Sequence, residues 1–358
     1  TRALYRLPNV TQATGFYPEA PNVSINGANA LYATYLIDGL DNNENFLGGQ
    51  KFAIPVGFVQ DVTVLTNNYS VEYGRTGNGI FNVTSRSGSN EFTGELFYIT
   101  RPGARVDARS SFAGRDLSGN GVQDGFERHQ FGVGVGGPIT KDKSFFYVNY
   151  ERTLDDKDNL LTSPQLGVND AVPGENDFGY FSAKIDHVWS DEWRSSFRMN
   201  WGDVSIERQG GGLEGGVLFP SAGSTQERES RLFALSTVYT GERFVSESSL
   251  QYGRFDWQYA EPQNGASPQT TVLDPFEQTV AIIGHPGFTF NDVETSYHAK
   301  QKFSFFRGDH ALTIGGELIH SDFDLRAGGN PSGNYRVKLT EDQLSDLQAA
   351  DPGAGLDV

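Results

Sequence analysis

Residues 116 to 127 read DLSGNGVQDGFE and place oxygen-bearing groups where a hard cation would use them. Asp116, Ser118, Asn120, Asp124 and Glu127 fall at positions 1, 3, 5, 9 and 12 of a calcium loop. Gly121 stands where the sharp turn needs it, and Val122 would lend its carbonyl. Ser118, the Gln at position 8 and the lack of a helical pattern on either side depart from that template; the bland alternative is a polar surface loop. Two glycine-rich stretches suggest phosphate chemistry and fail the test of context. In GVGVGGP (132 to 138) a proline, a lysine-rich turn and another strand follow where a dinucleotide fingerprint requires a helix. Alternating glycine there is better read as a strand face kept bare so that something bulky can lie against it. YSVEYGRTGNGIFNVTSRSG (69 to 88) lacks the lysine of a phosphate loop. The six histidines form no close metal pair, and no nucleophile, base and acid group together above chance, so catalysis has no positive signal.

The elements that must position these residues are strands. The chain has 358 residues, with 43 Gly, 26 Phe and 15 Tyr against one Met, and aromatics suit a pleated surface whereas glycine weakens helices. A formal charge of -17 argues against nucleic acid, which demands a concentrated basic surface. The absence of cysteine excludes disulfides and thiol chemistry without fixing a compartment. No stretch approaches the roughly 18 apolar residues of a membrane helix. The opening TRALYRLPNV has neither an initiator Met nor a signal peptide, so a cut chain is expected.

Nine strands are predicted, near 91–101, 128–137, 144–154, 177–188, 193–206, 227–240, 244–260, 292–306 and 311–325. Their connections alternate: PITKDK, WSDE, GER and RGDH are short, and 102–127, 155–176, 207–226 and 261–291 are long. Tight turns on one rim and long loops on the other are the organisation of an outer-membrane barrel. In WRSSFRMNW, Trp193, Phe197, Met199 and Trp201 share one face, and Arg194, Arg198 and Asn200 the other. A soluble sandwich would explain that alternation but not the segregation of loops. Residues 1–90 lack the rhythm and read as a separate small α/β unit. Near the end, Thr340 and Gln343 form a capping-box pattern before a short helix.

The blocks VSINGANA, YLIDGLDNN, VGFVQDVTVLTNNYSVEYGRTGNGIFNVTSRSGSNEFTGELF, FGVGVGGPITKDKSFFYVNYE and FSAKIDHVWSDEWRSSFRMNW occur in order across residues 22 to 202. They resemble TonB-dependent outer-membrane receptors of the Oar-like type, which carry a carboxypeptidase-regulatory-like N-terminal domain. The resemblance implies a mostly β fold: a partial transmembrane antiparallel β-barrel of about nine strands (91–358), open in this fragment of a 22-stranded barrel, preceded by the later part of a small α/β plug (1–90). Tyr73, Gly74, Gly77, Gly79 and Asn82 match the plug's last motif. By the same resemblance the long loops are extracellular, the TonB box, signal sequence and remaining strands are absent, and the function is TonB-dependent uptake of an unidentified ligand across the bacterial outer membrane. Partners would be TonB, outer-membrane lipid and that ligand. For the gate, Arg75 and Arg86 on the plug are expected to pair with inward carboxylates such as Glu151 or Glu317. The competing reading is a surface binding or adhesion protein with calcium-ordered loops and no transport; an ungated porin conflicts with a plug.

Overall fold

A computed structural model describes residues 9–12, 23–103, 126–157, 159–208, 210–211 and 216–350. The first unit holds β1 (Val10–Gln12), β2 (Val23–Ile25), β3 (Ala33–Ile37), β4 (Leu40–Asp41), β5 (Val59–Leu65) and β6 (Gly79–Ser85). Four of these form a sheet in the order β4-β3-β6-β5, with β3 and β6 parallel. Its helical share among the described residues is two 3-10 turns, Ala30–Tyr32 and Val56–Phe58. Val23, Ile25, Ala33, Tyr35 and Phe81 make its own core. A second cluster joins its Ile37 and Phe52 to Leu232, so the unit is closed by a neighbour rather than by itself.

That neighbour is the long sheet, in chain order β7 (Thr93–Arg101), β8 (Phe126–Thr140), β9 (Ser144–Lys157), β10 (Asn159–Ser163), β11 (Val168–Val172), β12 (Glu175–Val188), β13 (Trp193–Arg208), β14 (Ser224–Thr240), β15 (Phe244–Pro262), β16 (Gln269–Leu273), β17 (Thr279–Gly284), β18 (Phe288–Arg307) and β19 (His310–Gly329), with the short hairpins counted in sequence. Nine of these, β7, β8, β9, β12, β13, β14, β15, β18 and β19, pair successively in one open antiparallel meander whose edges are β7 and β19. They are the nine strands expected from the alternation.

Its polarity is inverted relative to a soluble protein. On β13, Trp193, Phe197 and Trp201 are exposed, whereas Arg198 and Asn200 are buried at 2% and 0%. Burying charge on the concave side is tolerable because a polar partner fills it, and a bare apolar convex side requires lipid. Trp189 and Trp193 flank one short turn with ring centroids 5.8 Å apart, beside Tyr239, Phe244 and Phe305 on the next strands. From Trp193 to Trp201 the strand rises about 26 Å, or about 20 Å in height at the tilt of such barrels. Beyond Gly202 the phase reverses: Val204 and Ile206 are buried while Asp203 is exposed. The strands therefore continue past the apolar band into water.

The long connections are folded. β10 pairs with β11, β16 with β17, and β20 (Asn334–Lys338) runs parallel to β16. Leu161, Leu166, Phe219, Val272 and Val280 give this cap its own core, and Leu344 and Leu347 of helix α1 (Glu341–Ala349) pack against it. The expected capping box is formed: Gln343 N–H donates to Thr340 Oγ1 at 3.3 Å, and Thr340 N–H donates to Gln343 Oε1 at 2.9 Å.

Candidate functional site: the seat of the plug

The turn joining β3 to β4 is Asp38-Gly39, both residues at positive φ (52° and 78°), the two-residue hairpin chemistry that Asp-Gly favours. It thrusts Asp38 at the wall. Asp38 accepts from Ser85 N and Oγ at 2.8 and 2.7 Å and lies 3.1 Å from Arg198 Nε of β13. Arg198 also donates to the carbonyl of Ile37 at 3.3 Å and to Gln251 at 3.1 Å, and Gln251 in turn donates to the carbonyl of Asp41 at 2.6 Å.

Thirteen residues after Asp38, Lys51 reaches the same wall. Its Nζ lies 2.9 Å from Glu294 and 3.5 Å from Asp41 and donates to Ser296 Oγ at 3.1 Å. The side chains of Lys51 and Glu294 are 0% exposed, so this pair is sealed from screening water. Asn45 N–H adds a bond to Glu294 at 3.0 Å. Asp41 N–H donates to His298 Nδ1 at 3.2 Å, which leaves Nε2, 2.7 Å from Glu317, as the protonated nitrogen.

Between Asp41 and Lys51 the chain makes an apex loop. Buried Glu44 ties it together by accepting from Phe46, Leu47 and Gly49 N–H at 2.8, 2.9 and 2.6 Å. Burial pushes the Glu44 carboxyl above its ordinary range, against the pull of those three donors. Phe46 and Leu47 pack on Phe255, Trp257 and Phe290 of β15 and β18, with Phe46 edge-on to Phe290 at 5.1 Å. The apex thus meets an aromatic wall towards the cap, and the charged pairs lie beneath it.

The residues singled out from the sequence divide. Tyr73 lies under Lys300 at 5.9 Å, and neighbouring Glu72 is 3.3 Å from Lys302. A Cβ on Gly74 would meet nothing within 4 Å, and one on Gly77 would be 3.2 Å from Tyr32. Gly79 is required: its φ is 151° and a Cβ would come within 2.6 Å of Ile25. Asn82 Oδ1 accepts from Gly39 N–H at 2.9 Å, holding the Asp-Gly turn.

Arg86 does bridge plug and wall, but not to the carboxylates expected. It lies 2.9 Å from Glu95 of β7 and donates to Tyr147 Oη at 3.2 Å. Glu95 is level with Gly134 and Asn149 in register, whereas Glu151 is level with Gly132, two residues nearer the cap; there Glu151 accepts from Gln130 at 2.7 Å. Arg75 stays within the plug, 3.5 Å from Asp41 and 3.2 Å from Asn45 Oδ1, and Glu317 turns to His298. The bare face of β8 receives bulky side chains. Phe97 lies across Gly132 and Tyr147 across Gly134 and Gly136, and Tyr147 Oη donates to the plug carbonyl of Gly57 at 2.8 Å. Side chains of β7 and β9 therefore carry that contact, and plug backbone reaches the strand at Gly88, whose Cα lies 3.5 Å from the Cβ position of Gly136.

Of the calcium candidates, Asp116, Ser118, Asn120, Val122 and Asp124 lie outside the described residues. Glu127 is described, in β8, with His129 Nε2 at 2.9 Å. Asp38, Asp41, Glu44 and Lys51, with Arg198 and Glu294 opposite, are the site residues that sequence reasoning passed over. The available signal was an Asp-Gly turn with three acids and a lysine inside fourteen residues, too many charges for a plug surface facing apolar matter.

Residues 84–167 and 161–355 match the family model of the outer membrane beta barrel domain, and residues 1–80 match that of the TonB-dependent receptor plug domain. This chain belongs to the TonB-dependent receptors of the bacterial outer membrane. Among relatives of the receptor, the TonB-dependent transporter Oar of Myxococcus xanthus is 29% identical over 277 residues, which are 68% of this chain and 26% of that protein. The outer membrane transporter YddB of Escherichia coli superposes with a TM-score of 0.70 at 15% identity, over 90% of this chain and 46% of its own. The ferric yersiniabactin uptake receptor FyuA of Yersinia pestis gives 0.64 at 14% identity, over 91% and 46%. The chain thus spans about a quarter of the length of the Oar relative and under half that of these structures. At such identities the structural likeness carries the fold.

Proposed function

We propose that this chain is the gate region of an Oar-like receptor that takes up a ligand across the outer membrane under the drive of TonB. The observation that carries the reading is the seat itself. A plug held to a barrel wall by a few buried charged contacts, Lys51 to Glu294 and Asp38 to Arg198, is a plug that can be withdrawn as a unit. A dry apolar interface of the same extent would resist pulling everywhere at once, whereas one held by a few charged and polar contacts breaks at discrete bonds that water can satisfy once they part. The aromatic contact of Phe46 and Leu47 places the apex where a ligand entering from the cap would meet it first. Two fold relatives are named as siderophore receptors; for this receptor the proposal extends to the transport step and leaves the cargo to experiment.

The test uses the full-length receptor in cells with and without TonB. Uptake of the ligand should disappear without TonB while surface binding persists. Binding with no TonB-dependent internalisation would reject transport in favour of an adhesion role.

A further inference from the structure

The outward face of the sheet carries a depression that neither the plug nor the cap uses. Gly179 of β12 faces outward, level with Arg152 of β9 and Asp203 of β13. Its missing side chain leaves a groove of about 590 Å³ across four strands, within the range of small-molecule sites. The groove lies where the apolar band ends. On the band side it is lined by Tyr150, Phe181, Met199 and Trp201; on the cap side by Arg152, Asp177, Asp203 and Glu227.

The polar rim is acidic. Arg152 is already engaged, donating to Asp177 Oδ1 at 2.9 Å and to its second oxygen. Glu227 takes one bond, from Ser205 Oγ at 2.7 Å. The Asp203 side chain has no hydrogen-bond or ion-pair partner among the described residues. Three carboxylates against one committed guanidinium repel a phosphate, and what they can accept is hydroxyl donors. Trp201 and Tyr150, 46% and 37% exposed, offer flat apolar faces beside those acceptors. The end of the sheet with long connections is extracellular in outer-membrane barrels, so the groove opens to the outer leaflet at headgroup depth.

We propose that this groove is a seat for an outer-leaflet glycolipid. An uncharged saccharide head lies over Gly179 and donates hydroxyls to Asp203, Asp177 and Glu227, and an acyl chain runs down the Phe181 and Met199 face. This goes beyond uptake and does not depend on it.

The test fills the floor without disturbing the wall. A Cβ on Gly179 would meet only the Asp203 carbonyl oxygen, at an ordinary 3.6 Å, so Gly179→Leu should fold. Full-length receptor is placed in phosphatidylethanolamine nanodiscs doped with either a neutral glycosyl diacylglycerol or phosphatidylglycerol, and retained lipid is counted by native mass spectrometry. Wild type should retain the glycosyl lipid in preference, and Gly179→Leu and Asp203→Asn should each lower retention about tenfold, the loss expected when a hydrogen bond to a charged acceptor is removed. Thermal unfolding of both variants should match wild type. Equal retention in all three proteins would overturn the proposal. A preference for phosphatidylglycerol that EDTA abolishes would overturn the saccharide assignment in favour of cation-bridged phosphate.

Discussion

Replacing Lys51 by Met tests the seat most directly. The side chains of Lys51 and Glu294 are 0% exposed and that of Asp41 is 5% exposed, so the change leaves a buried carboxylate facing its former partner at a site water does not reach. Removing one member of a buried pair costs about 3–5 kcal/mol, mostly from the charge left behind. If that falls on the seated plug, the unseated fraction rises by about two to three and a half powers of ten. Full-length receptor in detergent, exposed briefly to trypsin across a urea series, reads this as plug cleavage at lower urea with the barrel intact. The companion change is Glu294→Gln, which keeps an oxygen for Asn45 N–H while removing the charge. The double variant should recover most of the loss, since a neutral pair leaves nothing uncompensated. Wild-type protection in Lys51→Met would refute the argument that this contact holds the plug. A double variant as weak as the single would refute the electrostatic account and leave lost packing as the cause.

Three further outcomes are expected. Arg86→Ala should be milder, about 1 kcal/mol or less from its ion pair in the same assay, because Arg86 and Glu95 are about a third or more exposed. Gly88→Ala should lower the thermal unfolding midpoint of the receptor by an overpacking cost of about 1–3 kcal/mol, since its Cβ would come 2.2 Å from the carbonyl oxygen of Phe146; Gly74→Ala, with open space around it among the described residues, should stay within about 0.5 kcal/mol. Glu44 has a folded pKa raised above 4.5, so its contribution to stability is complete below pH 4.5 and is lost as pH rises through the folded value; Glu44→Gln should flatten the urea midpoint against pH over that window.

How far the sequence discloses this arrangement depends on which physical rule each part obeys. The nine strands are legible because a wall with lipid on one side and a wet plug on the other must alternate with period two, and Trp193 to Trp201 does so. Alternation also shows that Glu151 and Glu317 point inward, and both do. It says nothing about height along the barrel, which is set by register and by where the plug stops; hence Arg86 meets Glu95 rather than Glu151. Lys51 and Glu294 are 243 positions apart, and no periodicity in one sequence joins them. The cap escaped notice for another reason. NLLTS and TVAIIG are short apolar runs inside segments already read as loops by their length, and only their assembly with β20 and α1 gives them a shared core.

The order of contacts along the barrel axis gives the seat a direction. Nearest the cap, Phe46 and Leu47 press on Phe255, Trp257 and Phe290; beneath them lie Lys51 with Glu294 and then Asp38 with Arg198, which is level in register with Tyr147, the partner of Arg86. Screening falls in the middle of this series, where the side chains of Lys51 and Glu294 are sealed, and rises at its lower end. Under the proposed function, a pull from below would load the solvated contact of Arg86 and the Asp38–Arg198 pair together, with the sealed pair of Lys51 and Glu294 beyond them. Under the same reading a ligand arriving from above would compete for the aromatic wall, and displacing Phe46 would open a path for water to Glu294 through Asn45, whose N–H is bonded to it. Water reaching that carboxylate lowers the penalty for parting it from Lys51. If the receptor works as proposed, ligand and pull act on the same pair from opposite sides, so Lys51→Met should release the plug under TonB without waiting for ligand.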